Sequence, residues 1–64
     1  MRSWELEHLE TTTCNFPKYR GDGWVEVIQR DREYVEWLLV NIEDMDDDLR
    51  DALRWGVANI PDHL

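Results

Sequence analysis

One cysteine, two prolines, three glycines and a single phenylalanine are what this 64-residue chain has least of. Cys14 has no second thiol to pair with, so no internal disulfide staples the fold. Positive charge is scarce too: seven Lys and Arg stand against fifteen Asp and Glu, a formal charge of −8. That balance opposes nonspecific attraction to nucleic acid or to an anionic membrane, since both need a basic face, and it favours basic partners. The longest uncharged apolar run, Trp37 to Val40, is far too short to cross a bilayer, so no membrane partner is expected. Residues Met1 to Glu5 are not followed by the apolar core of a signal peptide. With one unpaired thiol, the cytoplasm is the expected compartment.

What is present fits one domain, residues 1–64, with no room for a second core. Four tryptophans are many for this length, and each can bury roughly 150–250 Å². They are the expected bulk of the interior. A core this small is marginal, so a partner or a second copy of the chain could add stability, and a homo-oligomer is one open arrangement. Residues 16–32 carry Lys18, Arg20, Arg30 and Arg32 against Asp22, Glu26 and Asp31, whereas residues 43–64 carry seven acids against Arg50 and Arg54.

From Trp4 to Leu9 the residues alternate, Trp4, Leu6 and His8 against Glu5, Glu7 and Leu9, which reads as a strand continued by Thr11 to Thr13. A helical turn capped by Ser3 is the competing reading. A second short strand is expected over Thr12 to Phe16. Gly21-Asp22-Gly23 is the strongest breaker, and Trp24 to Ile28 reads either as a third strand or as an irregular turn. Residues 1–28 are therefore expected to be rich in β-structure and turns. A helix is expected over 31–42, capped by Asp31, with Val35, Leu38, Leu39 and Ile42 at i, i+3, i+4 and i+7. A second is expected over 46–60, capped by Asp46 or Asp47, with Leu49, Ala52, Leu53, Gly56, Val57 and Ile60 on one stripe. Gly56 costs roughly 1 kcal/mol of helix propensity there, which implies close approach by another element. Pro61 ends that helix, and Asp62 to Leu64 reads as a loose tail. The fold class expected is α+β: an N-terminal hairpin or three-stranded sheet packed on two C-terminal helices.

No catalytic or metal constellation emerges. His8 has no second ligand at metal spacing, and Cys14 has no base placed beside it. Asp44, Asp46 and Asp48 alternate as in a calcium loop, but Leu49 and Trp55 stand where that loop needs glycine and glutamate. The chain reads as a non-enzyme without metal or cofactor. Lys18-Tyr19-Arg20, with Arg30 and Arg32 downstream, has the chemistry of a nucleic-acid or partner site: cations for phosphates or carboxylates and an aromatic ring for stacking. The alternative is that Phe16 and Tyr19 are core residues and the cations only close a turn. A second candidate face is acidic: Glu43, Asp44, Asp46, Asp47, Asp48 and Asp51, with Trp55 off the apolar stripe as a partner anchor or a packing residue.

Phe16-Pro17-Lys18-Tyr19-Arg20-Gly21, then Asp31-Arg32-Glu33-Tyr34-Val35-Glu36-Trp37-Leu38-Leu39, then Asp48-Leu49-Arg50 and Ala52-Leu53, resembles the pattern F-G-K-[YH]-[KR]-G…D-P-x-Y-L-x-W-L-L…D-L-x-x-A-[LI]. That pattern belongs to the small C-terminal domain of exonuclease X-like proteins and to stand-alone bacterial and phage proteins, some labelled quorum-sensing-regulated virulence factors. Pro17 stands where that family has glycine, and Arg32 where it usually has proline. The resemblance implies a compact α+β module associated with nucleic-acid enzymes, with Lys18, Tyr19 and Arg20 as the contact surface and Tyr34 and Trp37 beneath it. The functions expected are a phage or bacterial binding module of nucleic-acid-processing machinery, or an acidic inhibitor or DNA mimic that occupies the basic groove of a host enzyme.

Overall fold

The structure, a computed structural model, describes residues 3–61, so the expected tail at Asp62 to Leu64 lies outside the described residues. The elements are α1 (Trp4–Thr11), a single 3₁₀ turn (Pro17–Tyr19), α2 (Trp24–Arg30), α3 (Arg32–Asn41) and α4 (Asp47–Asn59). The expected α+β class is wrong: there is no strand or sheet among the described residues, only an isolated antiparallel bridge between Thr13 and Gly23.

The residues that suggested strands form helices for identifiable reasons. Ser3 caps α1, its hydroxyl accepting from the Leu6 backbone N–H at 3.2 Å. The threonines that argued for extended chain instead finish the helix, Thr11 Oγ1 donating to the Glu7 carbonyl at 3.0 Å and Thr12 Oγ1 to that of His8 at 2.7 Å. The period-two alternation is accidental. Leu9, which it placed among the acids, is fully buried, while Trp4 is 51% exposed. Leu6 and Leu9, three apart, are the pair that faces the core. In α2 the β-branched residues are overruled in the same way, because Trp24, Val27 and Ile28 at i, i+3 and i+4 are all buried. Fully burying a side chain of this kind contributes about 1.5–3 kcal/mol, more than the few tenths that β-branching costs a helix.

Between α1 and α2 the chain makes a loop closed across its base by backbone hydrogen bonds, Cys14 N–H to Asp22 O at 2.8 Å and Gly21 N–H to Cys14 O at 2.9 Å. This clasp is all that exists of the expected hairpin. Gly21 has φ +91, the one described residue in the left-handed region, and lets the chain turn back after the 3₁₀ turn. The Cys14 thiol is buried, its Sγ accepting from the Phe16 N–H at 3.4 Å.

The core joins Leu9, Cys14, Trp24, Val27, Ile28, Val35, Leu38, Met45, Ala52, Leu53 and Ile60. Trp24 is the only tryptophan in it; Trp55 is half-buried against its edge, and Trp37 is 54% exposed, so the four do not make up the interior. Helix α4 is the hub, packing on α1, α3 and α2. Gly56 is where α1 and α2 reach it: a Cβ there would lie 2.6 Å from Ile28 Cδ1 and 2.9 Å from Leu9 Cδ1.

Two arginines tie α3 and α4 together in antiparallel fashion. Arg32, the first residue of α3, donates to the carbonyls of Val57 and Ile60 at the end of α4. Arg50, in the opening of α4, donates to the carbonyls of Leu39 at 3.2 Å and Ile42 at 2.8 Å at the end of α3. The last carbonyls of any helix lack internal partners and carry partial negative charge, so each guanidinium satisfies the other helix's exposed end.

Candidate functional site

The 3₁₀ turn brings Lys18 and Tyr19 over the start of α3, where Asp31 receives both. Lys18 Nζ lies 2.8 Å from Asp31 Oδ2, and the Tyr19 hydroxyl donates to the same oxygen at 3.0 Å. The other oxygen, Oδ1, accepts from the Tyr34 N–H at 3.1 Å and caps α3. Asp31 also ends α2, its own N–H donating to the Val27 carbonyl at 2.8 Å. One aspartate thus joins α2, α3 and the basic turn. The Lys18 bond, then that of Tyr19, holds its carboxyl below the ordinary carboxylate range. The same bonds raise the Lys18 ammonium and the Tyr19 hydroxyl above their usual values.

Around this node lies an aromatic wall. The Lys18 ammonium sits 5.1 Å from the Tyr34 ring centroid and 5.5 Å from that of Tyr19, within cation–π range. Tyr19 meets Tyr34 edge-on at 5.4 Å, and Tyr34 stacks on Trp37 with centroids 6.4 Å apart and planes at 8°. Burial pushes the Tyr34 hydroxyl up. Lys18, Asp31, Glu33, Tyr34 and Trp37 line a shallow groove of about 410 Å³.

The other cations expected to form one surface are dispersed. Arg30 pairs with Glu26 at 2.8 Å along the exposed side of α2, and Arg32 is committed to the α4 carbonyls. Arg20 stays exposed next to the turn. The expected cluster of Lys18, Tyr19, Arg20, Arg30 and Arg32 therefore reduces to Lys18 and Tyr19 bound to Asp31, with Arg20 nearby in sequence and outward.

The acidic face is otherwise. Glu43, Asp44, Asp46, Asp47, Asp48 and Asp51 are all exposed around the start of α4. Asp46 caps that helix, accepting from the Leu49 N–H at 3.3 Å. None of the six is in an ion pair among the described residues. Trp55, proposed beside them, is half-buried and packs against the core. Among the described residues no three His, Cys, Asp or Glu side chains gather as a metal site, and no helix is long and apolar enough to cross a membrane.

Sequence reasoning found the Asp31 cap but not its three other partners, since only the fold brings residue 18 beside residue 31. It also missed Arg50, which nothing in the sequence separates from a surface arginine. Of the two aromatics that the resemblance places beneath the contact surface, Tyr34 is half-buried and packs against the core, whereas Trp37 stacks on its outer side and is exposed.

Over 48 residues, 75% of its length, the chain is 40% identical to exodeoxyribonuclease 10 of Escherichia coli strain K12, and equally to that of Escherichia coli O6:H1 strain CFT073. The matched stretch is 22% of those enzymes, so the chain corresponds to about a fifth of the curated relatives it matches. No family model and no solved structure matches the chain. The similarity links three-quarters of this small helical unit to part of an exonuclease.

Proposed function

We propose that this protein is a non-enzymatic binding module that associates with nucleic-acid-processing machinery through a protein partner. The similarity to a fragment of exodeoxyribonuclease 10 supports the setting. The single observation that carries the mode of action is the distribution of charge. Lys18, Arg30 and Arg32 are each paired with groups of this chain, while the carboxylates of residues 43–51 are exposed and none is in an ion pair among the described residues. A protein that neutralises phosphates needs several free cations on one face, each releasing counterions, and this arrangement leaves Arg20 and Arg54 exposed on separate parts of a chain of net charge −8. A surface of free carboxylates attracts basic protein surfaces and repels nucleic acid. A narrower form of the same reading has these acids imitating phosphates in the basic groove of a host enzyme. It is favoured by their grouping at one end of α4.

Capture experiments with the tagged full chain test this. A basic nucleic-acid enzyme or one of its subunits, identified by mass spectrometry, should be retained from bacterial lysate at low salt and lost when Asp46, Asp47 and Asp48 are all changed to Asn. Retention of that enzyme undiminished by the triple change would remove the acidic face from the account. Failure to retain any nucleic-acid enzyme would remove the setting.

A further inference from the structure

We infer that the outward strip of α3, Trp37 and Val40 edged by Glu33 and Glu36, seats an arginine-bearing segment of a partner protein. The inference rests on the protein-partner reading above and names a surface and a chemistry for it. Trp37 is 54% exposed and Val40 is 81% exposed, unusual positions for large apolar residues three apart on one helix face. Glu33 lies one turn before Trp37 and Glu36 one turn before Val40, so each apolar side chain has a carboxylate neighbour on the same face. Both glutamates are exposed, and neither is in an ion pair among the described residues.

The molecule already shows the chemistry this face accepts. Lys18 lays its ammonium against the Tyr34 ring, with Asp31 neutralising it. Trp37, stacked parallel to Tyr34, continues the same wall, and Glu33 lines the groove with no ion-pair partner among the described residues. A guanidinium suits that groove better than an ammonium, because it is planar, stacks on an indole face and can meet a carboxylate with two parallel donors. Nucleic acid does not suit it: Glu33 and Glu36 would face phosphates.

The test uses the full ¹⁵N-labelled chain and a synthetic amphipathic helical peptide with arginines flanking leucines. Two companion peptides replace every arginine with lysine or with glutamate, and a single-stranded oligodeoxynucleotide serves as a further titrant. The arginine peptide should shift the Trp37 indole N–H and the amides of residues 33–40. The lysine peptide should bind several-fold more weakly and the glutamate peptide not at all. Trp37→Ala should weaken the arginine peptide by about tenfold or more, as loss of a central aromatic anchor does. Val40→Asn, at an exposed position and without adding charge, should weaken it as well. Shifts confined to residues 43–51, equal binding of the arginine and lysine peptides, or displacement of the Trp37 indole signal by the oligonucleotide would each overturn the inference. A lysate partner retained by Trp37→Ala but lost with the triple Asn variant would overturn this surface and leave the broader reading standing. A chain that captures no nucleic-acid enzyme yet shows the expected peptide shifts would remove the broader reading alone.

Discussion

The turn at residues 16–20, with Arg30 and Arg32, and the approach to and start of α4 at residues 43–51 are two charged regions of opposite sign, and the fold treats them in opposite ways. The cations are mostly wired into the structure: Lys18 to Asp31, Arg30 to Glu26, Arg32 to the last carbonyls of α4. The anions, Asp46's cap apart, are left to solvent. A basic motif is thus a poor guide to a basic surface when a helix end or a capping carboxylate lies within reach. What a partner meets is the charge that remains after the fold has satisfied itself.

That contrast can be broken from the cation side first. Arg32→Met should destabilise the chain by about 2–3 kcal/mol in urea unfolding, because it strips charge-assisted bonds from two carbonyls at a helix end. Arg32→Lys should recover only part, since an ammonium lacks the fork that reaches both. Gly56→Val, which tests the hub against which these ties are set, should cost about 2 kcal/mol by forcing apart Ile28 and Leu9. Arg50→Met should cost about 1–2 kcal/mol, less than Arg32→Met.

The Asp31 node sharpens the comparison through pH. Its carboxyl is depressed in the folded state by the bonds from Lys18 and Tyr19, so its contribution is complete above the ordinary carboxylate range and fades as pH falls through the lowered folded value. Lys18 is raised, so its contribution is complete below the ordinary lysine range and fades as pH rises through the folded value. Asp31→Asn should flatten the acid limb of the stability curve, below about pH 4, relative to the parent chain. The smallest effect belongs to the anions: Asp46→Asn with Asp47→Asn and Asp48→Asn should move stability by no more than about 0.5 kcal/mol, because asparagine also caps and the other two are solvated.

How far the fold was legible follows the same physics. Helices α3 and α4 could be read because their apolar residues keep a 3.6-residue period over two or more turns and Asp31 and Asp46 stand at their starts. The tight approach at Gly56 could be read from its position on the buried stripe. Helix α1 was legible only as the competing reading, a turn capped by Ser3, and α2 was not: each spans about two turns, and threonines and valines outweigh the i, i+3 spacing of Leu6 with Leu9 and of Trp24 with Val27. Tertiary packing on α4 decided both. Of the candidate site, the residue types were legible and their availability was not. Whether Lys18 or Arg32 is free depends on which carboxylate or helix end comes near it in space.

The most direct test of the central claim is fluorescence anisotropy of labelled single- and double-stranded DNA titrated with the full chain at about 20 mM salt, where electrostatic binding is strongest. The expected result is no saturable binding, because Lys18, Arg30, Arg32 and Arg50 are engaged within the chain and the exposed charge is mainly acidic. Saturable binding that weakens with salt and is lost in Arg20→Ala would contradict it and return the basic turn to the role of a nucleic-acid surface.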